Sequence, residues 1–86
     1  MVMKKIVFSK HSLIQCEERG AKLDEVEATI NDGSVENAKK NRIKFTMNFQ
    51  YNAEWGGKYY PIKQIEAIAV EENNELIVIT VIAKYF

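Results

Sequence analysis

Phe8-Ser9-Lys10-His11-Ser12-Leu13-Ile14-Gln15-Cys16-Glu17-Glu18-Arg19-Gly20 reads as the end of a strand followed by one helix. The rest of the chain is placed outward from it. Ser9 suits the N-cap, where its hydroxyl accepts a free N–H of the first turn, and Gly20 suits the left-handed residue that ends a helix. At about 100° per residue, Leu13 and Cys16 are expected to form the apolar stripe. His11, Gln15 and Arg19 recur every four residues, within an arc of about 80° on the flank of that stripe. A flank meets the edge of whatever the helix packs on, so these three groups are expected half in water, at a groove.

Upstream, Lys4–Phe8 is a short strand. Downstream, a second helix runs from about Leu23 to Asn31, with Leu23, Val26 and Ile30 on one face and Asp24 and Glu25 in the first turn. Gly33 is placed at its C-cap and Ser34–Lys40 is an ambiguous edge strand. Ile43-Lys-Phe45-Thr-Met47-Asn-Phe49-Gln-Tyr51 alternates strictly, so its odd-numbered residues are expected to face the helices. Asn52–Pro61 reads as a loop around Gly56-Gly57, Ile62–Glu71 as a strand, and Glu72-Asn73-Asn74-Glu75 as a tight turn. Leu76 to about Tyr85 is apolar on both faces, which marks a central strand. The order β-α-α-β-β-β-β predicts one α+β domain over residues 1–86, an N-terminal helical hairpin packed on one face of a mostly antiparallel sheet.

Eighty-six residues with twelve basic and twelve acidic side chains leave no net charge to steer the molecule toward nucleic acid. One cysteine excludes an internal disulfide. No apolar run spans a bilayer, and the start, Met-Val-Met-Lys-Lys-Ile-Val-Phe, is too short for a signal peptide. The expectation is a cytoplasmic protein without a membrane partner. One histidine, one cysteine and scattered carboxylates show no metal-ligand spacing, and no glycine-rich nucleotide loop follows a strand, so neither metal nor cofactor is expected.

Charge is unevenly spread. Lys39-Lys40-Asn41-Arg42-Ile43-Lys44 is the tightest basic knot. It reads either as a solvated turn whose lysines guard a strand edge or as a rim that contacts phosphates. Tyr51, Trp55, Tyr59 and Tyr60 with Lys58 are either a base-stacking platform or ordinary sheet packing. Thr80, polar inside an apolar strand, is either a site residue or a β-branched strand former.

The pattern Phe8-x-x-His11, then Glu18-Arg19-Gly20, then a short acidic helix with Val26 and a final Ile79-Thr80-Val81 resembles the family called domain of unknown function 4258. The likeness covers nearly the whole chain. Three positions depart from the pattern: Gln15 stands at its first helical arginine, Lys22 at the cap of the second helix, and Ile82 at the tyrosine after Thr-Val. The resemblance implies a RelE/barnase-like fold, a metal-independent toxin-type endoribonuclease, RNA as substrate and a cognate antitoxin as partner. In that chemistry the 2′-hydroxyl of RNA attacks its own phosphate. His11 is the acid or base and Arg19 clamps the non-bridging oxygens. Thr80 positions a phosphate oxygen and Tyr85 is a second proton donor, while Gln15, Lys39, Lys40, Arg42, Lys58 and Lys84 bind substrate. The alternative is a catalytically inactive protein- or RNA-binding module of the same fold, with His11 bonded to a carboxylate such as Glu18. Helix 1 against a central strand is expected to bring His11 and Arg19 toward Thr80 or Lys84.

Overall fold

A computed structural model describes residues 4–86; Met1–Met3, part of the apolar start read above, lie outside the described residues. The elements are β1 (Lys5–Phe8), α1 (Lys10–Arg19), α2 (Leu23–Asp32), β2 (Ser34–Ala38), β3 (Arg42–Trp55), β4 (Lys58–Glu72) and β5 (Glu75–Tyr85). The five strands form one mixed sheet in the order β1-β5-β4-β3-β2, antiparallel except where β1 runs parallel to β5. The α+β order and the mostly antiparallel sheet agree with the expectation.

Local chemistry sets the element ends. Ser9 Oγ accepts the Ser12 N–H at 3.1 Å, and Gly20 ends α1 at φ 72°. Lys22 has no acceptor to cap α2, so the Glu25 carboxylate reaches back to the Lys22 N–H at 2.9 Å. Asn73 (φ 49°) and Asn74 (φ 64°) make the two-residue turn between β4 and β5. Gly33 does cap α2, but in extended backbone (φ −80°) and not in the left-handed form. Its need for glycine is spatial: a Cβ there meets the Thr29 and Thr46 carbonyl oxygens at 2.5 Å each.

The core lies between the helices and one sheet face. Phe45, Ile65, Ala67, Ala69, Leu76, Val78 and Val81 point to the helices, which supply Cys16, Ala21, Val26 and Ile30. Each fully buried valine or isoleucine contributes about 1.5–3 kcal/mol. The odd-numbered residues of β3 do face the helices, as the alternation requires.

Three expectations are corrected. Leu13 is 42% exposed, and the buried face of α1 is Ser12, Gln15 and Cys16. The reason is what α1 rests on: the outer margin of β5, which offers backbone polar groups and so favours polar side chains opposite. Nor do the helices pair as a hairpin. α1 rests on β5 while α2 rests on β4 and β3, so the two lie side by side over different strands and hardly touch. Asn52–Pro61, finally, is no loop. β3 and β4 continue as a ribbon to Trp55 and Lys58, with only Gly56-Gly57 turning. Pro61 has no N–H to give β3, and opposite it β3 sets two residues, Tyr51 and Asn52, with Asn52 at φ 47°. A bulge absorbs the proline and the strand goes on.

Candidate functional site

The crease between α1 and β5 is built where β1 stops. β1 pairs with β5 only as far as Phe8↔Val78, after which the Ser9 N–H bonds the Val78 carbonyl at 3.0 Å and the chain turns into α1. Beyond that point no strand among the described residues lies beside the outer edge of β5, and α1 supplies the missing partners. Gln15 Oε1 accepts the Val81 N–H at 2.8 Å, and Arg19 Nη1 donates to the Val81 carbonyl. Two side chains, four residues apart, thus bond Val81 as a neighbouring strand residue does.

His11 completes the row. Its Nε2 lies 2.9 Å from Gln15 Nε2. Because Gln15 Oε1 is committed to Val81, the contact to His11 is made by the amide N–H₂, which donates to an imidazole lone pair. The neutral ring therefore carries its proton on Nδ1. His11 is exposed, Gln15 is buried and Arg19 is half-buried, so the row runs along the rim of the crease. Glu18, the carboxylate considered as its partner, makes no bond to His11 among the described residues.

The end of α1 is held by a second cluster. Tyr85 Oη donates to the Arg19 carbonyl at 2.7 Å, and the Trp55 indole stacks on the Tyr85 ring at 4.9 Å. Gly20 lies directly under them: a Cβ there approaches Trp55 to 2.6 Å and Tyr85 Oη to 2.7 Å. Burial first, and then Tyr51 and Glu25, push the Tyr85 phenol up to about 12. Beside it Lys63, 3% exposed, donates to the Gly20 carbonyl at 2.8 Å and to both Glu25 oxygens at 2.9 and 3.2 Å. The sequence reading missed this buried ion pair. Its signal was parity, since Lys63 shares the inward-facing set with Ile65, Ala67 and Ala69.

The structure thus brings His11, Gln15 and Arg19 into one row between α1 and β5, and Tyr85 reaches the end of that helix only at the Arg19 main-chain carbonyl. The fold separates them from Thr80 and Lys84. Val78 and Val81 both point into the core, and Ile79 is the extra residue of a bulge at Ile68/Ala69. Thr80 is therefore turned to the helix-free face, as are Ile82 and Lys84. There Lys84 pairs with Glu66 at 2.9 Å, and Lys44 stands between Glu36 (3.2 Å) and Glu66 (3.9 Å). The Glu36 hydrogen bond, then the Glu66 and Glu36 charges, hold the Lys44 ammonium above its ordinary value. The expected convergence of His11 and Arg19 with Thr80 or Lys84 fails because the sheet lies between them.

Lys39 and Lys40 form the hairpin turn from β2 to β3, Lys40 at φ 61°, and Arg42 opens β3; all three are exposed at the sheet edge opposite α1. An open hollow of about 360 Å³, lined by Asn37, Ala38, Asn41, Arg42 and Ile43, lies there. Lys58 is at the ribbon tip with its Nζ 5.7 Å from the Tyr60 ring centre. The aromatics pack on one another, Tyr51 and Tyr60 against Tyr85 at 5.2 and 5.9 Å, and only Tyr59 is largely free at 56% exposure. Cys16 is buried and unpaired, and burial pushes its thiol up. Among the described residues no group of histidine, cysteine and carboxylates is placed to hold a metal ion, and no helix is long and apolar enough to cross a membrane.

No family model, curated protein or solved structure matches this chain.

Proposed function

We propose that this domain is a non-catalytic protein-interaction module on a RelE/barnase-like scaffold. The observation that carries the reading is the helix-free face of the sheet. By register and alternation, Val7, Ile62, Ile68, Val70, Ile77 and Ile82 lie on it, all half-buried, with Glu66 and its two lysines crossing the middle and Arg42, Thr46, Asn48 and Gln50 of β3 along one margin. An apolar stretch over β1, β5 and β4 with a short internal charge row and a polar margin on β3 is the chemistry of a protein contact. Zero net charge fits that better than it fits RNA. The crease argues the same way: the lone pair of His11 Nε2 is engaged by Gln15, and one arm of the Arg19 fork is spent on Val81.

A second reading keeps one specific observation in its favour, that His11, Gln15 and Arg19 stand in one row between α1 and β5, with the Tyr85 phenol on the Arg19 main chain. On the family resemblance this reading is a toxin-type endoribonuclease with His11 as acid or base. A phenol whose proton leaves only near pH 12 is a poor acid at neutrality.

The deciding experiment incubates purified protein with mixed-sequence RNA in EDTA, beside His11→Ala. In parallel, a photo-crosslinking side chain is installed in cells at Ile82 or at Leu13. The module reading expects intact RNA and a discrete protein adduct from position 82 alone. RNA cleavage that disappears in His11→Ala overturns it, as does the absence of any adduct at 82.

A further inference from the structure

β3 outruns its neighbour. β2 pairs with it only from Ala38↔Arg42 to Ser34↔Thr46, so from Met47 onward no strand among the described residues lies on that side. The direction of the main-chain groups follows from the bonds that exist. Ile62 and Phe86 exchange both of their main-chain bonds, which turns the even-numbered residues of β4 toward β5 and the odd-numbered ones toward β3. The odd residues of β3 are accordingly engaged with β4, and its even residues face outward. The Thr46 carbonyl, bonded by Ser34 Oγ at 3.3 Å, has that outward direction. Asn48 and Gln50 therefore present N–H and C=O groups to solvent.

The other edges are short or guarded. Gln15 and Arg19 occupy Val81 on β5, β1 is only four residues long and opens on Lys5, and β2 is five residues long and carries Glu36. Met47-Asn-Phe49-Gln-Tyr51 has no charge and no proline, and no strand among the described residues covers it, the combination that edge strands ordinarily avoid.

We propose that two copies of this chain pair through this edge, antiparallel and centred on Phe49. The stretch is self-complementary in that register. Phe49 meets Phe49 of the second copy, and Met47 meets Tyr51, all on the helix side. On the opposite face Asn48 meets Gln50, amide against amide, with no like charges opposed. The pair Asn48/Gln50 is the one whose main-chain groups face outward, so it forms the hydrogen-bonded rungs, four bonds in all by symmetry. The ribbon beyond Asn52 does not block the approach. It bends at the bulge toward the helix side, where Trp55 lies on Tyr85 and over Gly20, leaving room for the second copy's β2. Five residues a side make a weak, concentration-dependent dimer with one continuous ten-stranded sheet.

The test is sedimentation velocity across a concentration series on the intact chain, with two double variants. N48K/Q50K sets lysine against lysine at both rungs, whereas N48K/Q50E sets lysine against glutamate. Expected are a self-associating wild type, a dissociation constant raised at least about tenfold in N48K/Q50K, and near wild-type association in N48K/Q50E. On the unaltered protein, amide exchange at Asn48 and Gln50 slows as concentration rises. A wild type that stays monomeric, or a dimer indifferent to the charge pattern with Asn48 and Gln50 amides exchanging freely, overturns the proposal. These outcomes are distinguishable from the RNA and cross-linking results, since sedimentation of the purified chain reports self-association alone and the pairing groups are main-chain groups of β3, whereas position 82 lies on β5.

Discussion

At Gln15 one carboxamide accepts the Val81 N–H and donates to His11, and it does so from the buried side of α1. Removing it leaves a main-chain N–H without a partner, so Gln15→Ala is expected to lower stability by about 1–3 kcal/mol, read from urea denaturation midpoints. Gln15→Arg restores the arginine of the resembling family and is expected to destabilise as well, because a guanidinium cannot accept that N–H. Gln15→Glu, which keeps an acceptor, is expected to lose less than either. The spacing of His11, Gln15 and Arg19 was legible in the sequence, because helical periodicity places side chains without knowing what they face. Their partner was not legible. Val81 is bonded through its main chain, and a main-chain group leaves no mark in the residue pattern. Lys63 was hidden differently: a lysine in a strand reads as solvated unless its parity is weighed against a glutamate thirty-eight positions away.

Among the elements, the β3–β4 ribbon shows how local rules misplace a boundary. Asn52, Gly56, Gly57 and Pro61 each favour a turn, and together they read as a loop. Only the pair of strands shows that Pro61 falls opposite a bulge, where its missing N–H is harmless. Past that bulge the ribbon is anchored by Trp55 and Tyr60 on Tyr85, of which Trp55, stacked and over Gly20, is the nearer to the tip. Trp55→Ala is therefore expected to speed amide exchange across residues 52–60 by at least about tenfold, leaving the protected amides of β4 and β5 in the core unchanged. Equal acceleration in both regions counts against a locally anchored ribbon. α1 teaches the converse. Its caps, Ser9 and Gly20, were readable from residue type, yet of the expected Leu13–Cys16 stripe only Cys16 is buried, because the margin of β5 takes Gln15 where an apolar side chain was expected.

For the whole molecule, Tyr85 ties the end of β5 to α1 and to the ribbon, so its protonation state bears on global stability. Its phenol rises from the usual 10 to about 12 in the folded chain. Folding therefore favours the protonated form: this contribution is fully present below pH 10 and disappears as pH climbs to about 12. The stability gap between the wild type and Tyr85→Phe is expected to be constant from pH 7 to 10 and to narrow above it, measured by denaturant titration at each pH. A gap that widens in that window contradicts the assignment. By itself the sequence determined the α+β order, the helix caps, the alternation of β3 and the asparagine turn, because each depends on residues adjacent in the chain. Tertiary structure alone decided that Thr80 and Lys84 lie behind the sheet, that α1 closes the open margin of β5, and that β3 projects an unpaired stretch beyond β2. Those outcomes depend on register and on strand length relative to a neighbour, which main-chain hydrogen bonding sets between distant residues and side-chain identity does not encode.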